Sequence, residues 1–173
     1  FLKRSGEWTL IDPFPILAEM RIIKNDGDWS SGLKKAIDIS ALAHIEAFKS
    51  VEPNMWEYEI QAVFEYIYRK NGSPRNGYPC IIGSGPNSCT LHYDKNQRKM
   101  LDGELVLMDC AAEYGYYSAD ITRTVPVNGR FTREQREIYQ IVLDAQNAAM
   151  KDIKPGAVYE DVNSVIDDVL ASG

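Results

Sequence analysis

Apolar residues recur at helical spacing in the first part of the chain. From about Asp26 to Ser50, apolar positions at 33, 37, 41, 42, 45 and 48 predict an amphipathic helix that ends before Pro53. A second helix is predicted to begin at the cap Asn54, with Glu57 three residues later, and to stop before Pro74. The buried stripe of this second helix is predicted to contain Trp56, Ile60, Val63, Phe64 and Ile67.

The middle of the chain carries short apolar runs that are separated by turn residues. Residues 80–82 and 89–92 are predicted to be strands on either side of the tight loop 83–87. Residues 104–113 and 116–127 are predicted to pair as a hairpin. The middle third is therefore predicted to form four strands in hairpin-like succession.

Helical spacing returns after the strands. Thr132 is predicted to cap a third helix, and a fourth is predicted from about residue 158, after the break at Lys154-Pro155-Gly156. The order of two helices, four strands and two helices predicts an α+β fold, an antiparallel sheet covered by helices. Residues 1–19, which include Pro13 and Pro15, are interpreted as a linker or an entering strand.

Two aspartates in the predicted hairpin can face each other. With Tyr114-Gly115 as the two-residue loop, Asp109 opposes Asp120. Directly opposed residues share one face of a sheet, with Cβ atoms roughly 4.5 to 5.5 Å apart. Like charges so placed repel, so the pair needs a shared proton or a cation, and a divalent metal or a pair of metals meets that need. The alternative is two aspartates that each face water.

Composition and charge exclude several classes of partner. The 173 residues are 45% hydrophobic and carry a formal charge of -6, which argues against a nucleic-acid partner. No run approaches the ~18 apolar residues of a membrane span. The three cysteines are odd in number and form no CxxC pair, which predicts free thiols, a reducing compartment and a cytoplasmic location.

The chain contains two histidines with different expected roles. His92 follows a Gly-Ser-Gly turn, and it is either a ligand or oxyanion donor in a cleft or an ordinary histidine at a strand end. His44 lies mid-helix among apolar neighbours and is assigned to packing.

Several short motifs together resemble the Xaa-Pro aminopeptidase (aminopeptidase P) and prolidase branch of the pita-bread metallopeptidases. They are Met20-Arg21-Ile22-Ile23-Lys24, Ile82-Gly83-Ser84-Gly85 with Asn87, Leu91-His92-Tyr93, and Asp109 with Asp120-Ile121-Thr122-Arg123-Thr124. The resemblance covers almost the whole chain from about Met20. It implies that residues 20–173 are the first part of a catalytic domain, half of a pita-bread fold, and that 1–19 are a linker or the end of a preceding domain.

The resemblance also implies roles for individual residues. Asp109 would bind one metal ion through both oxygens, and Asp120 would bridge two. His92 would contact the substrate near the scissile bond, which favours the functional interpretation of this residue. Tyr78 would hydrogen-bond a metal-bound carboxylate, although it can equally be a loop aromatic. Two divalent ions are implied, manganese first, with cobalt or zinc possible.

The implied activity is metal-dependent removal of the N-terminal residue before proline, by a metal-activated bridging hydroxide, from peptides with proline in second position. The family completes its site with a histidine and two glutamates that have no counterpart here, so the isolated chain is expected to be inactive and largely metal-free. The intact protein is expected to be a homo-oligomer with no nucleic-acid or membrane partner.

Other functions on the same fold remain open. A prolidase that accepts only dipeptides is the nearest alternative, and a non-catalytic peptide- or histone-binding module is a further one. Such modules and metal-free amidinohydrolases have no need of both aspartates, which are present here. A structural half that pairs with another copy of itself is a third possibility.

Overall fold

The computed structural model describes residues 11–173, so the first ten residues of the predicted linker lie outside it. Within the described range the chain forms five α-helices. They are α1 (Phe14–Ile22), α2 (Lys34–Ser50), α3 (Glu57–Lys70), α4 (Arg133–Asp152) and α5 (Tyr159–Ser172). The entering strand that was considered for residues 1–19 is wrong where α1 lies, because those residues are helical. None of these helices is both long enough and apolar enough to cross a lipid bilayer.

The strands form an antiparallel sheet. They are β1 (Ile81–Ser84), β2 (Leu105–Cys110), β3 (Glu113–Tyr114), β4 (Tyr117–Ser118) and β5 (Ile121–Pro126). The order is β1-β2-β5, and the short pair β3-β4 continues the hairpin of β2 and β5 toward its turn. The predicted α+β class with an antiparallel sheet is confirmed.

Side chains along β2 alternate between the core and the opposite face of the sheet. Val106, Met108 and Cys110 are fully buried, whereas Leu107 and Asp109 on the other face are only partly buried. The buried face joins a cluster with α2 and α3 that includes Ile60. Asp109 therefore lies on the sheet face opposite the one that α2 and α3 cover.

The first predicted helix is continuous over 26–50, although a π-helical stretch, Asp28–Leu33, precedes α2. The apolar positions that predicted this helix do not form its buried side, because Leu42, Ile45 and Phe48 are exposed. The buried side of α2 consists of Ala36, Ile39, Ser40, Ala43, His44 and Ala47. Mostly small residues face the core because they let α2 lie close to its neighbours. The assignment of His44 to packing is confirmed.

The second helix begins later than predicted. Asn54 adopts a left-handed conformation with φ of 79°, and α3 starts after Trp56. Glu59 accepts a hydrogen bond from the backbone N–H of Trp56 at 2.6 Å, the contact that had been expected of Glu57. Glu57 is instead fully buried.

The predicted hairpin register is wrong by two residues. Asp109 pairs with Thr122, and Tyr114 pairs with Tyr117, so the loop is Gly115-Tyr116. Both loop residues have positive φ, 57° and 67°, as the type I′ turn between twisted strands requires. Asp109 and Asp120 therefore do not oppose each other directly.

The strand predicted at 89–92 is also wrong. A 3₁₀-helix, Gly85–Cys89, follows β1 directly, with Pro86 in its first turn. His92 has a φ of 53°, which is incompatible with an extended strand. Residues 89–92 are exposed and form a surface turn.

The predictions for the last two helices are confirmed. Thr132 caps α4 by accepting a hydrogen bond from Gln135 N–H at 3.2 Å, and the fourth helix is α5. Arg123 is exposed and donates to the carbonyl of Thr122 at 2.8 Å.

Candidate metal centre

Asp109 and Asp120 remain on one face of the sheet despite the corrected register. Ala119 N–H donates to the carbonyl of Ala112 at 3.2 Å, and extending the β2-β5 pairing through this contact places Ala111 opposite Asp120. Asp120 is then the diagonal neighbour of Asp109 across the hairpin. Diagonal pairs share a face, and their side chains are within reach of a common partner.

The common partner is the hydroxyl of Tyr78. Its oxygen lies within hydrogen-bond distance of Asp109 Oδ1 and 2.8 Å from Asp120 Oδ1. Burial, reinforced by the two carboxylates, raises the pKa of Tyr78 above its ordinary value, so the residue stays a neutral phenol. A phenol has one proton, so it can donate to only one of the two carboxylates at a time.

Tyr78 is held in place by a backbone that lies against the hairpin. Gly77 N–H donates to the carbonyl of Ala111 at 2.8 Å, and Asn76 forms an isolated bridge with Ala112. A Cβ on Gly77 would lie 2.6 Å from Ser118 Oγ, so this approach requires glycine.

A cavity of about 350 Å³ opens beside these groups. Its lining consists of Tyr78, Pro79, Ile81, His92, Asp94, Asp109 and Asp120. All four residues proposed from the sequence therefore line a single cavity, although His92 reaches it from an exposed turn and not from a strand.

Sequence reasoning missed three kinds of contribution to this cavity. Ile81 is there because it pairs with Asp109 across β1 and β2, a pairing that no sequence pattern indicated. Asp94 lies two residues after His92, and this spacing was the available signal. Gly77 left no signal apart from its position before Tyr78.

The donor set fits part of a metal site. Two carboxylates on one face supply hard oxygen ligands of the kind that divalent cations take, and Tyr78 can neutralise neither charge. Across residues 11–173, no three His, Cys, Asp or Glu side chains converge closely enough to hold an ion. Asp109 and Asp120 would thus supply two ligands of a set that is incomplete in the described residues.

Comparison with known proteins agrees with this chemistry. The model of metallopeptidase family M24 matches residues 31–173. The chain belongs to family M24. The family carries divalent metal ions, which is consistent with the paired carboxylates.

Individual M24 relatives are similar over nearly the whole chain. The Xaa-Pro aminopeptidase of Escherichia coli K12 is 39% identical over 165 residues, which are 95% of this chain and 37% of that protein. The human Xaa-Pro dipeptidase is 37% identical over 160 residues, 90% of this chain and 32% of that protein.

Solved M24 structures share the fold. Zinc-substituted E. coli aminopeptidase P in complex with product matches with a TM-score of 0.90 and 39% identity, over 94% of this chain and 37% of that one. Pseudomonas aeruginosa aminopeptidase PepP matches with a TM-score of 0.88 and 37% identity, over 91% of this chain and 36% of that one. The chain thus spans about a third of the length of these relatives, and it has their pita-bread fold over that part.

Proposed function

We propose that the protein to which this chain belongs is a metal-dependent exopeptidase that removes the N-terminal residue before proline. The observation that carries the proposal is the convergence of Asp109 and Asp120 on the Tyr78 hydroxyl, in a cavity that His92 also lines. The similarity to Xaa-Pro aminopeptidases supports the choice of substrate, a peptide with proline in second position.

The residues of the cavity have distinct proposed roles. Asp109 and Asp120 hold divalent metal ions, which when bound supply the Lewis acidity that polarises a peptide carbonyl and activates water. Tyr78 donates its proton to one carboxylate and so fixes the orientation of that side chain. His92 contacts the substrate beside the scissile bond, where an imidazole N–H can donate to the carbonyl oxygen as negative charge develops on it.

The metal, the cellular location and the assembly are further parts of the proposal. Oxygen ligation favours manganese, with cobalt or zinc as substitutes. The free thiols of Cys80, Cys89 and Cys110 support a cytoplasmic location. A homo-oligomer is proposed from the family resemblance, and light scattering of the full-length protein tests it.

The decisive experiment replaces one carboxylate in the full-length protein. Asp120→Ala should lower hydrolysis of an Xaa-Pro-Yaa peptide by at least roughly 10³-fold, because the metal loses a ligand and the oxyanion loses its main stabiliser. Calorimetric titration with Mn²⁺ should show the loss of binding directly.

The matched control is Asp102→Ala. Asp102 is an exposed aspartate that accepts a hydrogen bond from Asn128 at 2.7 Å and does not line the cavity. This variant should keep wild-type turnover. Undiminished activity of Asp120→Ala would overturn the assignment of the metal centre.

A dipeptidase is the second candidate, because the human Xaa-Pro dipeptidase is nearly as similar as the aminopeptidases. Parallel assays with Xaa-Pro and Xaa-Pro-Yaa separate the two activities. Cleavage of the dipeptide alone would favour the dipeptidase.

A further inference from the structure

Glu57 is a carboxylate with no exposed surface, and it lies in the first turn of α3. Burial of an ionised group is costly unless hydrogen bonds replace its water. Five donors surround this one: Ser84 N–H at 2.7 Å, Ser84 Oγ at 2.7 Å, Asn87 Nδ2 at 3.2 Å, Tyr93 OH at 2.8 Å and Arg98 N–H at 2.9 Å.

All five donors belong to a single segment of the chain, residues 84–98, and they lie on both sides of His92. Ser84 and Asn87 precede the histidine and bond Oε1, whereas Tyr93 and Arg98 follow it and bond Oε2. The two oxygens of Glu57 therefore form hydrogen bonds with the residues on both sides of the turn that carries His92.

The conformation of the turn requires stabilisation by such hydrogen bonds. His92 has a φ of 53°, a conformation that persists in a non-glycine residue only when its surroundings impose it. The side chains of Leu91 and His92 are exposed, so packing of these residues contributes little. Tyr93 directly follows His92, so its hydrogen bond is the contact with Glu57 that lies nearest to His92 in the sequence.

We propose that Glu57 is a positioning residue for the peptidase reaction, which acts by holding the 84–98 segment so that His92 faces the cavity. The inference rests on the proposed function, because His92 has its role only there. A carboxylate suits the task because it accepts at every lone pair, whereas a glutamine amide would present N–H groups to these donors.

The test is a double-mutant cycle in the full-length, metal-loaded protein. Glu57→Gln should lower kcat for an Xaa-Pro-Yaa peptide by about a hundredfold, the scale of an ångström-sized misplacement, with a smaller change in KM. In a His92→Ala background the same substitution should change kcat less than about threefold, because the residue it positions is gone. An equal loss in both backgrounds would show that Glu57 has only a structural role and would overturn the proposal.

Glu59→Gln is the matched control. Glu59 is in the same helical turn and carries the same charge, but its carboxylate accepts from Trp56 N–H and forms no hydrogen bond with residues 84–98 in the described structure. It should keep wild-type kcat. If Glu57→Gln does not fold, Tyr93→Phe removes a single hydrogen bond to Glu57 and should show the same dependence on His92, with a smaller effect.

Hydrogen exchange separates this proposal from the proposed function. Glu57→Gln, but not Glu59→Gln, should speed exchange in residues 85–93, whether or not the protein cleaves the peptide. Unchanged exchange there would overturn the positioning role. An inactive wild-type protein with faster exchange in Glu57→Gln would overturn the peptidase assignment alone.

Discussion

At the scale of single residues, the centre depends on a phenol placed between two carboxylates. Tyr78 stays protonated because burial and the neighbouring negative charges oppose its ionisation. It can therefore orient Asp109 or Asp120 without adding a third negative charge. A bound cation would satisfy the carboxylate that the single phenolic proton leaves unpaired.

His44 is the second titratable residue whose surroundings matter. Its Nδ1 lies 2.9 Å from the carbonyl oxygen of Ser40, so the neutral ring carries its proton there, and Nε2 has no partner among the described residues. Burial lowers the pKa of His44 and outweighs the opposing effect of the backbone at Ser40, Met108 and Ile121, and the charge of Arg123 lowers it further.

This lowered pKa predicts a loss of stability in mild acid. The unfolded chain, with an ordinary histidine pKa of about 6.5, binds the proton first as the pH falls, so the free energy of unfolding decreases below that pH. Urea denaturation between pH 7.5 and 5 should show this decrease in the wild type. The slope should be shallower in His44→Gln and unchanged in His92→Gln, and equal slopes in all three proteins would contradict the prediction.

At the scale of elements, a capping motif predicted the start of a helix correctly where the capping residues are close together in the sequence. Thr132 and Gln135 form a reciprocal capping box, in which Gln135 Oε1 also accepts from Thr132 N–H at 2.9 Å. In α3 the same type of motif placed the cap two residues too early. Glu57 makes tertiary contacts instead, and Glu59 makes the capping contact.

The α4 cap gives a prediction at this scale. Thr132→Ala should lower the free energy of unfolding by about 1 kcal/mol, since an N–H of the first turn loses its acceptor. Thr132→Ser keeps the hydroxyl and should cost less. Chemical denaturation of both variants measures the difference, and equal stability of Thr132→Ala and the wild type would show that the cap contributes nothing.

At the scale of the whole molecule, Asp109 and Asp120 are the two candidate metal ligands in a chain that covers 37% of the E. coli relative. Two carboxylates without further ligands hold a divalent ion weakly, since ligand number and geometry set affinity.

We therefore predict that the isolated 173-residue chain hydrolyses no Xaa-Pro peptide and binds Mn²⁺ weakly, with a Kd no tighter than about millimolar, a binding free energy near -4 kcal/mol. Isothermal titration and a peptide assay, each run beside the full-length protein, check both parts. Turnover by the isolated chain, with contaminating peptidase excluded, would contradict the prediction.

The sequence by itself determined the α+β class, the extent of α4 and the shared face of Asp109 and Asp120. These follow from periodicity and caps, which are local, and a register error of two residues preserves the face because side chains alternate with a period of two. Only the tertiary structure decided that Tyr78 meets both carboxylates, that His92 lies in a turn and that Glu57 holds this turn. Those contacts join residues 27 to 42 positions apart, and their geometry depends on how β1, α3 and the hairpin pack together.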